Sequence, residues 1–168
     1  MMERFTIRSA DTVNLVSEGF RQYFEELDPH KDFRFFTNGI DEEFLRLDYS
    51  KPEPSQPIRI LYAGNVGLGQ GLDRIVPQLG RLVGHDYELF VVGDGGAHST
   101  LEAAITAAGA TNVTLHPPVD RDRLNELYAS ADVLFLHLND HQAFHKVLPS
   151  KIFEYAATGK PILAGVPG

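Results

Sequence analysis

Ile58-Arg59-Ile60-Leu61-Tyr62-Ala63 runs directly into Gly64-Asn65-Val66-Gly67-Leu68-Gly69-Gln70-Gly71, and this passage decides the fold. The first six residues, apolar except for Arg59, read as a short strand buried on both faces. Four glycines in the next eight residues allow a tight turn at its end. Leu72, Ile75, Val76, Leu79 and Leu82 then keep a 3.6-residue period, which predicts a helix. Pro77 lies inside that period and is expected to kink the helix or restart it. Strand, glycine-rich turn and helix together open a βαβ unit.

The alternation continues downstream. Strands are expected over Tyr87 to Val92, Val113 to His116, Val133 to Leu138 and Pro161 to Val166. Ser99 and Glu102 form a capping box for a helix carrying Leu101, Ala104, Ile105 and Ala108, which Gly109 ends. Asp120 caps a helix with Leu124, Leu127, Tyr128 and Ala131 on one stripe. A last helix runs from Ser150 to Thr158 and stops at Gly159. Five such strands joined by helices imply an α/β fold with a doubly wound, Rossmann-like parallel sheet.

Upstream, Tyr49 to Pro57 holds three prolines in six residues and reads as an extended linker. Thr12 to Val16 and Phe33 to Phe36 are strand candidates. Between them Ser17 can cap a helix with Phe20, Tyr23, Phe24 and Leu27 on one face. The expected division is therefore 1–50, a 51–57 linker and 58–168. The first part is too small to hold a core alone. The last ends straight after a buried strand, as a truncated domain would.

The 168 residues carry 15 Lys+Arg against 23 Asp+Glu, a formal charge of −8. Such a balance disfavours extended nucleic acid binding, which needs a cationic face. No apolar run approaches a membrane span, and Met1 to Arg4 shows no secretory signal. The absence of cysteine excludes disulfides and thiolate metal sites and fits a cytoplasmic setting. From Leu124 onward the cationic side chains, histidine aside, are Lys146, Lys151 and Lys160.

In a parallel sheet of this kind, ligands sit at the carboxyl ends of the strands. The turn at 64–71 can bring backbone amides to a phosphate, or can merely tighten strand-to-helix packing. It matches neither the dinucleotide fingerprint nor a P-loop. In the next turn, Gly93-Asp94-Gly95-Gly96, Asp94 can accept from a ribose or bond its own backbone. His137, His141 and His145 recur every four residues, but the first two straddle a strand end, so no metal site is assigned. His116 reads as a strand-end residue with a solvated imidazole.

Leu148, Pro149 and Ser150 open the last helix, with Lys151 in its first turn and Glu154 one turn on. Exposed amides, a cation and a carboxylate suit a diphosphate joined to a diol. Alternatively, Glu154 is a first-turn partner of the helix dipole and Lys151 its solvated neighbour.

The ordered set of "VVGDGG", "NVTLHPPVDRDRLNELYASADVLF" and "LPSKIFEYAATGKPIL" after a glycine-rich turn carries a family signature. From Ile58 onward the chain resembles the C-terminal, donor-binding domain of GT-B glycosyltransferases of family 4, the glycosyl transferase group 1. "SADTVNLVSEGF" through "FFTNGID" resembles the end of that family's N-terminal domain, leaving a short remnant of it here. The last stretch is most similar to members acting in bacterial surface-polysaccharide assembly.

The resemblance implies retaining transfer from a nucleoside diphosphate sugar, UDP being favoured, to a saccharide or lipid-linked acceptor. It implies no obligate metal and no further cofactor. Gly64, Gly67, Gly93, Asp94 and Gly95, with Pro118 and Val119, would line the nucleotide pocket. Glu154 matches the glutamate that holds the ribose, and Lys151 would stabilise the leaving diphosphate. The sequence departs from the pattern in two respects. Asn65 and Gln70 stand where the family often has Arg and Lys, and Lys146 stands in place of a first glutamate. Charge missing from the first loop is then supplied by Lys151 or Lys146.

Two other classes stay open on the residues: a partner or regulatory domain that binds nucleotide without turnover, and an NAD-binding module. The fragment alone is expected to bind donor without transferring sugar and to self-associate through exposed apolar faces such as Phe20, Tyr23 and Phe24. The full-length protein is expected in the cytoplasm, with the inner face of the membrane open to it.

Overall fold

The computed structural model describes residues 2–50 and 53–167. Among these residues, five parallel strands form one sheet: β3 (Ile58–Ala63), β4 (Tyr87–Val92), β5 (Val113–His116), β6 (Val133–His137) and β7 (Ile162–Gly165). Their spatial order is β5-β4-β3-β6-β7. Each falls within a residue of the expected bounds at either end. The chain leaves β3 toward β4 and β5 and then crosses back to β6, so the strand order reverses beside β3. Crevices form at such a reversal.

Both faces of the sheet are covered, which is why its strands read as apolar runs. Ile60 and Tyr62 pack with Leu72, Val76 and Leu101 on one face. These last three come from α4 (Leu72–Val83) and α5 (His98–Ala108). Leu61 and Ala63, the alternate residues of β3, pack with Tyr128 and Tyr155 on the other face. Those tyrosines belong to α6 (Arg121–Ser130) and α7 (Lys151–Ala157).

Local signals held unevenly. Asp120 caps α6 as expected, accepting from the Arg123 amide at 2.9 Å. α4 runs unbroken through Pro77, so the expected restart does not occur. Proline removes a single helical hydrogen bond there, and the burial of Val76, Pro77 and Gly80 outweighs it. The Ser99 capping box is not formed: α5 starts at His98, with Ala97 at the cap and no side-chain bond. Its start is set by tertiary backbone contacts instead, since the Ala97 amide donates to Val66 O at 2.9 Å. Ser150 likewise caps nothing with its side chain.

The N-terminal residues form α1 (Met2–Ser9), β1 (Thr12–Leu15), α2 (Arg21–Leu27), β2 (Asp32–Phe35) and α3 (Glu42–Arg46). β1 and β2 pair in parallel around α2. A 3-10 turn, Glu18–Phe20, precedes α2, and Ser17 caps that turn. α1 and α3 carry no signal strong enough to predict. Phe44 and Tyr49 are buried in the second core, their rings 6.1 and 6.5 Å from Tyr128. Of the expected linker, residues 51 and 52 lie outside the described residues. Ser55 beyond them is docked, its amide donating to the Asp132 carboxylate.

Candidate functional site

Three turns meet at the carboxyl ends of β3, β4 and β5. Backbone hydrogen bonds stitch them together: Gly64 N to Val92 O, Val66 N to Asp94 O, and Gly93 N to His116 O, at 2.9, 2.9 and 3.0 Å. Gly93 makes the closest approach. Its φ is +144°, and a Cβ there would lie 1.9 Å from the Gly64 carbonyl oxygen.

The turns enclose a cleft of about 310 Å³. Gly64 and Asn65 line it from the first turn, Gly93 and Asp94 from the second, Pro118 and Val119 from the third, and Lys151 from α7. A larger hollow of about 580 Å³ lies between α6 and the sheet, lined by Arg59, Phe90, His116 and Arg123 among others. It is set mostly along the sheet face, whereas the smaller cleft sits where the turns converge. The chemistry therefore favours the smaller cleft. His116 is not simply solvated: its ring stacks on Phe90 with centroids 5.8 Å apart.

Lys151, which lines the cleft, donates from Nζ to Glu154 Oε2 at 2.9 Å, each side chain 27% exposed. The same oxygen accepts from the buried Tyr128 hydroxyl at 3.1 Å. The Tyr155 hydroxyl accepts from the Ala63 amide at 3.2 Å, and the Tyr62 hydroxyl donates to Asn65 O at 2.7 Å. Three tyrosines thus fix the end of β3, the first turn and the carboxylate.

Burial pushes the Tyr62 hydroxyl up to about 12. Burial is also the leading cause that raises Tyr128 and Tyr155, and the nearby Glu154 charge adds to both. All three hydroxyls stay protonated throughout the ordinary pH range. Tyr128 was legible only as a member of an apolar stripe. A buried tyrosine must place its hydroxyl, but only the fold shows that Glu154 receives it.

Other expected site residues are placed differently. Gln70 Oε1 accepts from the Gly67 amide at 3.1 Å and from Asn65 Nδ2 at 3.3 Å. Those two side chains therefore brace the loop from within. Asp94 Oδ1 accepts from the Gly95 amide at 2.7 Å, which realises the turn reading and leaves the exposed carboxylate beside the cleft. Lys146, unlike Lys151, does not line the cleft, its Nζ lying 5.8 Å from the centroid of the Tyr23 ring. Leu148 is 42% exposed. Two first-turn amides of α7 are already used, Ile152 N by Pro149 O and Phe153 N by Ser150 O, both at 3.1 Å.

Residues 46–168 match the sequence profile of glycosyl transferases group 1. The chain belongs to this family. Among its curated relatives, WcaI of Escherichia coli K12, a glycosyl transferase assigned to colanic acid biosynthesis, is 33% identical over 94% of this chain and 41% of its own length. A D-inositol 3-phosphate glycosyltransferase from Xylanimonas cellulosilytica is 34% identical over 65% of this chain and 26% of its own.

Solved structures share the GT-B fold at lower identity. The lipopolysaccharide outer core galactosyltransferase WaaB superposes with a TM-score of 0.71 at 18% identity, covering 95% of this chain and 44% of WaaB. Anabaena HepE gives 0.71 at 18%, covering 97% of this chain and 46% of HepE. The chain thus spans less than half the length of these relatives. No helix among the described residues is long and apolar enough to cross a membrane.

Proposed function

We propose that this chain is the donor-binding half of a retaining, family 4 glycosyltransferase that takes its sugar from UDP. The observation that carries this reading is the cleft at the strand-order reversal, lined by Lys151, which pairs with Glu154, in a glycosyl transferases group 1 chain. The base lies against Pro118 and Val119. The diphosphate lies over the turn at Gly64 and Asn65, with Lys151 opposing the charge that grows on it as the glycosidic bond breaks. Preorganised charge of this kind is often the largest catalytic contribution. Glu154 keeps Oε2 for Tyr128 and Lys151 and offers Oε1 to the ribose hydroxyls.

Support comes from relatives: HepE has been solved with UDP and glucose, and the pneumococcal O-GlcNAc transferase GtfA with UDP and GlcNAc. WcaI's assignment to colanic acid biosynthesis supports a saccharide or lipid-linked acceptor in surface-polysaccharide assembly. Acceptor contacts then come from outside residues 1–168, and this chain alone binds donor without turnover.

A thermal-shift panel of UDP, GDP, CDP, ADP and NAD tests the reading. A ligand at 100 times its Kd stabilises the native state by about 2.7 kcal/mol. UDP is expected to raise the melting temperature most. A response to NAD alone, or to none of the five, overturns it.

A further inference from the structure

Lys146 touches the N-terminal unit through its backbone as well as its side chain. A Cβ built on Gly19 would stand 2.8 Å from Lys146 Cα and 3.0 Å from Lys146 O. One turn further on, Tyr23 presents its ring to the Lys146 ammonium. Gly19 is not in the left-handed region, so alanine is locally permitted there. What demands glycine at this position is Lys146.

From Lys146 a continuous strap leads to the glycine-rich turn. The 3-10 turn Phe144–Lys146 sets the Phe144 ring over Gly69, 2.9 Å from where a Cβ would be. The Asn139 amide donates to Gly69 O at 2.9 Å, and Asn139 Nδ2 donates to Leu68 O at 2.6 Å. His137 Nδ1 lies 2.6 Å from Gln70 O. Three successive carbonyls of the turn are thus held by one segment, whose far end abuts Gly19. Close-packed contacts of this kind transmit strain.

We propose that Gly19 is a positioning residue for the donor site. It lets the Ser17–Phe20 turn rest on the Lys146 backbone. It thereby sets the strap and, through Phe144 and Asn139, the glycine-rich turn. The inference rests on the reading of that turn as the diphosphate cradle. It adds that the N-terminal unit governs the cradle's shape before any ligand arrives.

The test compares Gly19→Ala with Gly39→Ala, since a Cβ at Gly39 meets nothing within 4 Å. Amide spectra are recorded without ligand and during UDP titration. For Gly19→Ala, shifts are expected at 144–147 and onward at 68–70, with UDP affinity lowered by roughly 2- to 30-fold. Gly39→Ala is expected to match wild type in both. Should Gly19→Ala not fold, Tyr23→Leu perturbs the same contact from the side-chain end and is expected to move the same amides less.

Shifts that stop at Lys146 overturn the proposal, as does unchanged UDP affinity when the shifts do reach Gly69. If wild type itself binds no UDP, the donor reading fails. The ligand-free spectra still decide the coupling.

Discussion

The Tyr128 hydroxyl and the Lys151 ammonium both donate to Glu154 Oε2, at 3.1 and 2.9 Å. One donor comes from α6 and the other from α7 itself. The carboxylate is therefore held in a fixed orientation, with one oxygen occupied. Its removal has consequences for stability as well as for ligand.

Glu154→Ala is expected to weaken UDP binding by roughly 10- to 150-fold, the loss of charge-assisted hydrogen bonds of about 1.5–3 kcal/mol. It also leaves the Tyr128 hydroxyl buried without its acceptor, at a cost of about 1–3 kcal/mol. Glu154→Gln keeps an acceptor and should recover most of the stability but not the affinity. Calorimetric titration and urea unfolding read the two effects separately. Wild-type affinity in a folded alanine variant would assign Glu154 a purely structural role.

Lys151→Met keeps the side-chain stem and removes the charge. Its ion pair is partly exposed and contributes only about 0–1 kcal/mol, so stability should hardly change. UDP affinity should fall by roughly 10-fold or more through the lost phosphate contact. Uridine, which has no phosphate, should bind wild type and variant alike. Equal losses for both ligands would place Lys151 at the nucleoside instead.

Gly93→Ala forces a Cβ onto the Gly64 carbonyl and a strained φ onto alanine. Strain of this kind costs at least about 1–3 kcal/mol. A chain of this length then loses about 2–4 °C of melting temperature per kcal/mol. A variant as stable as wild type, with unchanged amide shifts at 64–66, would contradict the stitched arrangement of the turns.

Alkaline pH should unfold the protein through its tyrosines. Tyr62, Tyr128 and Tyr155 hold their protons more tightly folded than unfolded. Their contribution is complete below the unfolded value of 10.0 and falls as pH rises above it. The fall runs up to about 12 for Tyr62 and beyond that for Tyr128 and Tyr155, which are raised further. Above 10, each retained proton costs about 1.4 kcal/mol of stability per pH unit. Tyrosinate absorbance should show that at least three of the six tyrosines stay protonated until the chain unfolds. Simultaneous titration of all six near 10 in a folded protein would refute this.

The site was partly legible in advance. Gly64, Gly93 and Asp94 were named from turns at strand ends, Lys151 from the start of the last helix and Val119 from the family resemblance, and all five line one cleft. A parallel sheet makes that inference dependable, because every strand delivers its following turn to the same edge. The placement of Gln70 and Lys146 was not legible. Gln70 turns back on Gly67 and Asn65 of its own loop, and Lys146 turns toward Tyr23, a neighbour distant in sequence.

The sequence by itself determined the strands, their parallel direction and most of the helices, because burial on two faces leaves apolar runs and period-3.6 stripes that need no partner to be read. It also determined the Asp120 cap, whose bond to the Arg123 amide spans three residues and meets no competing tertiary contact among the described residues. Tertiary structure alone decided where α5 begins, why α4 runs through Pro77, and that Phe44 and Tyr49 pack against Tyr128. It alone brought Gly19 to the Lys146 backbone and the Tyr128 hydroxyl to Glu154. Those contacts join residues far apart in the chain. A local pattern cannot encode a distance that exists only once the sheet has brought the elements together.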